Sequence, residues 1–162
     1  MFSGFIGLSP ALDFSQQLPP APILLLLRFI AWIAPLLRIK APFDPKLIVS
    51  DEAAFKEWEK DPLVCRDKVT AAYLTTIASS ADEIMKQASK IENPMMLMWG
   101  TGDEVVSKLG CEMLLEKCKS TDRSLKLYPG AFHNILQEPG NKGEAQADIA
   151  NWIIAHSHKA AV

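Results

Sequence analysis

The chain has 162 residues, 49% of them hydrophobic and 22% charged, a balance that suits one folded domain rather than a disordered tail or a string of domains. A net charge of −2 with no run of Lys or Arg lacks the electrostatic footprint of a nucleic-acid partner. Three cysteines, Cys65, Cys111 and Cys118, are odd in number and without Cys-x-x-Cys spacing, which argues against a disulfide scaffold, a zinc site and a secreted context, and favours a reducing compartment.

Phe2 to Leu8 is a short apolar run closed by Ser9-Pro10, the pattern of a strand buried on both faces. The same first residues lack the basic start of a signal peptide, and Asp13 interrupts their apolar character. From Asp13 to Leu63 the chain carries Pro19, Pro20, Pro22, Pro35, Pro42, Pro45 and Pro62, which forbid a central strand and predict short helices and loops outside the sheet. Ile23 to Leu37 is the most apolar stretch, yet it falls short of the roughly 20 residues a membrane span needs and contains Arg28 and Pro35. A cytoplasmic protein is therefore expected.

Val69, Tyr73, Ile77, Ile84, Ala88 and Ile91 recur at helical spacing and predict one amphipathic helix over Arg66 to Lys90, or two in series around Ser79-Ser80. Met95 to Trp99 reads as a second buried strand, stopped by the glycine-rich turn Gly100-Thr101-Gly102-Asp103. Val106, Leu109, Met113 and Leu114 mark a helix, Ser124 to Tyr128 a third strand closed by Pro129-Gly130. Ala145, Ile149, Trp152 and Ile153 mark a last helix with Gln146 and Asp148 on its wet side. Strands alternating with helices imply an α/β domain with a parallel sheet and right-handed crossovers.

In such a sheet, reactive groups collect just past the carboxyl ends of strands. Asp103 follows the second strand and His133 the third; if the two strands are parallel neighbours, a carboxylate can reach an imidazole there, fix its tautomer and stabilise its protonated form. Spacing alone leaves this reading level with a plainer one, a turn-forming Asp and a surface His. His156 and His158 are expected to be solvated, and the cysteines to be core or helix-face thiols rather than nucleophiles.

The segments Asn93-Pro-Met-Met-Leu-Met-Trp-Gly-Thr-Gly-Asp103-Glu-Val-Val and Leu125-Lys-Leu-Tyr-Pro-Gly-Ala-Phe-His133-Asn-Ile-Leu-Gln-Glu138-Pro resemble the acid and histidine loops of the α/β-hydrolase fold, and most of all those of monoacylglycerol lipases and lysophospholipase-like serine hydrolases. Asp61-Pro-Leu-Val64 and Gly4-Phe-Ile-Gly-Leu-Ser-Pro-Ala-Leu12 extend the resemblance through most of the chain. Trp99 stands where that family commonly has a histidine, a change expected to alter packing rather than proton transfer. The resemblance implies Asp103 and His133 as catalytic acid and base, a lipid ester as substrate, and neither metal nor organic cofactor.

The expected nucleophile motif Gly-x-Ser-x-Gly does not occur in the chain. Its nearest approach is Gly7-Leu8-Ser9-Pro10-Ala11, and Pro10 has no N–H for the oxyanion hole, a donor whose loss costs roughly 3 kcal/mol in the barrier. The resemblance therefore implies the carboxyl-terminal half of an α/β-hydrolase: about three parallel strands flanked by helices, with a helical cap, or lid, inserted at about residues 13–62. Such a chain is expected to be inactive alone and to self-associate through an exposed sheet edge. Leu25, Phe29, Trp32 and Ile33 would line the lid's substrate side, with Arg28, Arg38 and Lys40 at a headgroup boundary and a peripheral membrane contact. The alternatives are a cap helix buried in the core, a non-catalytic lipid- or partner-binding remnant of the fold, and an unrelated small α/β domain.

Overall fold

A computed structural model describes residues 3–13, 20–40, 44–64 and 68–157. Its order is β1 (Phe5–Leu8), α1 (Ala21–Ile33), β2 (Arg38–Lys40), α2 (Glu52–Lys60), β3 (Lys68–Thr70), α3 (Ala71–Gln87), β4 (Met95–Gly100), α4 (Lys108–Lys117), β5 (Arg123–Tyr128) and α5 (Lys142–Ser157). Cys65, Arg66 and His158, together with the expected start of the first strand at Phe2, lie outside the described residues.

The main sheet is parallel, in the order β1-β4-β5, with Phe5 opposite Met95 and Met95 opposite Arg123. The central strand is buried on both faces because side chains alternate along it. Met95 and Leu97 join Leu12, Ala88, Cys111, Leu114 and Cys118 on one face; Met96 and Met98 join Tyr128, Ala131, Ile135 and Ala145 on the other. Both cysteines are free and buried.

Four expectations need correction. β1 is not buried on both faces: it is an edge strand among the described residues, and its end residues Phe5 and Leu8 are exposed. The helix expected from Arg66 does not begin before Ala71, because Lys68–Thr70 pairs antiparallel with Arg38–Lys40, and Thr70 caps the helix by accepting the Tyr73 N–H. The helix is single, running to Gln87, and its buried members are the small Ala71 and Ala81, while Tyr73 and Ile84 are exposed. Asp148 is not on the wet side of α5, since it accepts the Tyr128 Oη–H at 2.7 Å and pairs with Lys126.

His156 differs from expectation as well. Its ring stacks on Trp152, with centroids 3.9 Å apart; Nδ1 lies 2.7 Å from the Trp152 carbonyl and Nε2 3.1 Å from the Asp122 carboxylate. The ring is thus held by three contacts rather than left to solvent.

The described part of the proline-rich region lies outside the main sheet as expected, though besides short helices and loops it holds the strand Arg38–Lys40. α1 begins with proline in its first turn and packs against α3, and the β2–β3 pair ties the two together with Ala71 N–H to Leu37 O and Ala72 N–H to Pro35 O. No helix among the described residues is long and apolar enough to cross a membrane.

Candidate active site

β4 and β5 end side by side, Gly100 opposite Tyr128, so the loops that follow them leave the same edge of the sheet. The chain then folds the two loops onto each other. Thr101 N–H donates to Tyr128 O, Gly102 N–H to Ala131 O, and Gly130 N–H to Thr101 Oγ1. Gly130 takes the left-handed φ of 71° that the Pro129-Gly130 turn requires. Gly100 and Gly102 serve close approach: a Cβ on Gly100 would collide with the main chain of Ala131 and Phe132, and one on Gly102 with the Phe132 ring.

Asp103 and His133 meet in this junction, with His133 Nδ1 at 2.9 Å from Asp103 Oδ2. The carboxylate is fully buried and does not swing, because Oδ1 accepts the N–H groups of Val105 at 2.8 Å and Val106 at 3.1 Å. Of the two predictions made from spacing, the plainer one is therefore incomplete: Asp103 does shape a turn, and with its other oxygen it also holds the imidazole. With Nδ1 donating to the carboxylate, Nε2 is left as a proton acceptor, and the partly exposed ring can present it outward.

Three neighbours complete the surroundings. Trp99 packs against the Leu12–Leu97–Leu114 cluster, and its Nε1 is buried with no hydrogen-bond partner among the described residues. Cys111, on the helix that follows the acid loop, has its thiol pushed up to about 11, first by burial and then by the charges of Asp103 and Glu112. It stays protonated and is no nucleophile near neutral pH. Ser9 caps β1 with its N–H on Met98 O, a strained φ of 40° and a buried Oγ without a partner among the described residues; Pro10 follows it, and residues 10–13 are not helical. It lacks the exposed hydroxyl of a nucleophile elbow, and Pro10 has no N–H to give an oxyanion hole.

The four apolar residues read as a lid wall, Leu25, Phe29, Trp32 and Ile33, all lie on α1 and are all exposed, Trp32 to 78%, with Phe29 and Trp32 in ring contact. The alternative of a helix buried in the core does not hold.

Glu138 is the residue of this region whose role the sequence did not announce. It is 3% exposed, and its carboxylate accepts from Ser50 and from the backbone of Phe132, beside His133. A carboxylate set in the apolar context Ile135-Leu136-Gln137-Glu138-Pro139 was the available sign.

A sequence profile described as serine aminopeptidase, S33, matches residues 1–140. Human monoglyceride lipase is 23% identical over 153 residues, 94% of this chain and 50% of that protein; monoacylglycerol lipase of Mycolicibacterium smegmatis is 25% identical over 113 residues, 70% of this chain and 40% of that protein. Among solved structures, Paleococcus ferrophilus monoacylglycerol lipase superposes with a TM-score of 0.87 at 28% identity, covering 95% of this chain and 59% of that one. Saccharomyces cerevisiae monoglyceride lipase gives 0.79 at 26%, covering 95% and 56%. The chain spans about half the length of the curated relatives it matches. A profile match across most of the chain, joined to the parallel sheet with its paired acid and histidine loops, places the protein in the serine aminopeptidase S33 family, among the monoglyceride lipase-like α/β-hydrolases.

Proposed function

We propose that Asp103 and His133 are the acid and base of a serine hydrolase centre that cleaves carboxylic esters of lipids, monoacylglycerols or lysophospholipids. The 2.9 Å bond between His133 Nδ1 and Asp103 Oδ2 carries this reading, supported by the similarity to proteins named monoacylglycerol and monoglyceride lipases. The nucleophilic serine comes from sequence outside these 162 residues. His133 Nε2 takes the serine proton as the hydroxyl attacks the ester carbonyl, then gives it to the departing glycerol oxygen. It next takes a proton from water as that water attacks the acyl-enzyme, then returns it to the serine oxygen as the acyl bond breaks, releasing the fatty acid and the free serine. Asp103 orients the ring and stabilises its cation.

Residues of about 13–62 form the cap in this reading, with Leu25, Phe29, Trp32 and Ile33 as its lipid-contacting face and Arg28, Arg38 and Lys40 at the headgroup level of a cytoplasmic membrane surface. Their support is the exposure of those four apolar side chains. The outer edge of β1 is the expected site of self-association. One observation favours a second reading, a non-catalytic lipid-binding protein: the apolar cap face is present and Gly-x-Ser-x-Gly is not.

The test pairs a fluorophosphonate probe with a monoacylglycerol assay. The chain alone is not labelled; joined to the nucleophile-bearing half of Paleococcus ferrophilus monoacylglycerol lipase it is labelled at that half's serine and hydrolyses monoacylglycerol, and His133→Ala abolishes turnover. Labelling of any serine in the chain alone overturns the proposal. A folded, labelled chimera whose turnover ignores His133→Ala overturns it too.

A further inference from the structure

We propose that Glu138 is a positioning residue, a buried latch that joins the segment Ile48–Ser50 to the loop carrying His133 and so holds the imidazole against Asp103. The inference rests on the role proposed above for His133.

Glu138 Oε1 accepts two N–H groups, from Ser50 at 2.8 Å and from Phe132 at 3.1 Å, and Oε2 accepts the Ser50 hydroxyl at 2.5 Å. Beside this carboxylate, Asn134 N–H donates to Ile48 O at 2.8 Å. Residues on either side of His133 are thus held by partners more than eighty positions away in sequence or by Glu138 itself. Val49, between the two contacts, is 2% exposed, so the segment is seated in the protein rather than resting on it. Glu138 also anchors its own end of the loop: its N–H donates to Ile135 O, and its carbonyl accepts from Asn141 and Lys142, where α5 begins.

A carboxylate this buried is tolerated because its donors are all in place, and withdrawing any of them leaves an oxygen without water to replace it. Asp103 fixes the ring through Nδ1, but only if the main chain under His133 stays put. The second constraint comes through Glu138 from residues that follow α1 and β2. This gives the proline-rich region a direct mechanical hold on the base, separate from any contact with lipid.

The test compares Glu138→Ala, Glu138→Gln and Ser50→Ala in the 162-residue chain by amide hydrogen exchange and by the downfield NMR resonance of the His133 Nδ1 proton. Glutamine can keep all three bonds if the Ser50 hydroxyl turns to accept, so Glu138→Gln is expected to preserve the resonance and slow exchange at Phe132 and Asn134. Glu138→Ala is expected to abolish the resonance and to speed exchange at those amides tenfold or more, while Met96 and Met98 at the sheet centre change little. If Glu138→Ala does not fold, Ser50→Ala, which deletes one bond, decides: severalfold faster exchange at Phe132 and Asn134 supports the latch. An unchanged resonance with unchanged exchange, or a uniform rise at loop and sheet centre alike, overturns it. None of these readouts needs ester hydrolysis, so a chain with no lipase activity can still carry the latch.

Discussion

A Cβ on Gly100 would lie 2.3 Å from the Ala131 carbonyl oxygen, so the last residue of β4 touches the histidine loop main chain to main chain. Neither side can yield by rotating a side chain. Gly100→Ala is expected to cost about 2–3 kcal/mol in urea unfolding, in the upper range for overpacking, and to weaken the His133 Nδ1 proton resonance. Gly102→Ala meets the edge of the Phe132 ring and, at 3.2 Å, the Gly130 carbonyl oxygen, contacts looser than those at Gly100, and is expected to cost less.

Tyr128 and Asp148 pin α5 to β5. Asp148 sits below the ordinary carboxylate range chiefly because Lys126 donates to it; Tyr128 adds a second bond, and burial opposes both. The folded chain thus holds this proton less tightly than the unfolded one. The contribution is complete above an unfolded carboxylate's pKa of about 4 and is lost as the pH falls through the lower folded value. Denaturation between pH 2 and 7 should show Asp148→Asn flattening that part of the curve. Tyr128→Phe should cost about 1 kcal/mol at pH 7.

The alkaline side runs the other way. The Cys111 thiol, raised from 9.0 to about 11, and the Tyr128 hydroxyl, pushed up by burial and then by Asp148, both keep their protons longer in the folded chain. Stability from the thiol is full below its unfolded pKa and declines as pH climbs from about 9 toward 11. Melting temperature is expected to fall over that interval, and iodoacetamide at pH 8 to reach Cys111 only as fast as the chain opens.

Ser9 combines a left-handed φ with a buried hydroxyl that has no partner among the described residues. Glycine removes both costs and adds back some unfolded-state entropy. Ser9→Gly is expected to raise stability by about 1 kcal/mol, read as a higher melting temperature.

Leu25 and Trp32 are exposed, so making them acidic should leave the fold intact. The double variant Leu25→Glu, Trp32→Glu is expected to bind phosphatidylglycerol vesicles at least tenfold more weakly in co-sedimentation, with an unchanged far-ultraviolet circular dichroism spectrum. Equal binding by both chains counts against the cap as the lipid-facing element.

What the sequence made readable was whatever repeats along the chain or sits at a strand's end. Met95 to Trp99 is apolar without alternation because neighbours cover both its faces, and Asp103 and His133 were reachable by counting from strand ends. What it hid depends on residues far apart. The pairing of Arg38–Lys40 with Lys68–Thr70 competes with a helical period that begins at Val69 and wins there, since three residues supply a ladder that the helix start cannot. The apolar context of Glu138 hints at burial, but its partner is invisible until Ser50, 88 positions earlier, is brought against it. The exposure of Tyr73 and Ile84 escaped a count of apolar spacing because α3 buries its alanines instead.

The sheet register also sets an order of assembly. Met95 and Arg123 are partners close enough in sequence to meet early, whereas Phe5 must find Met95 across ninety residues, a closure whose entropy is met before any contact rewards it. Asp103 and His133 both lie within the early block of β4, α4, β5 and the loop before α5. Loop-closure entropy therefore predicts that β4 and β5 pair before β1 docks, and that the acid–histidine pair is locked only once Ile48–Ser50 joins its loop, an order that pulse-labelled hydrogen exchange during refolding would read.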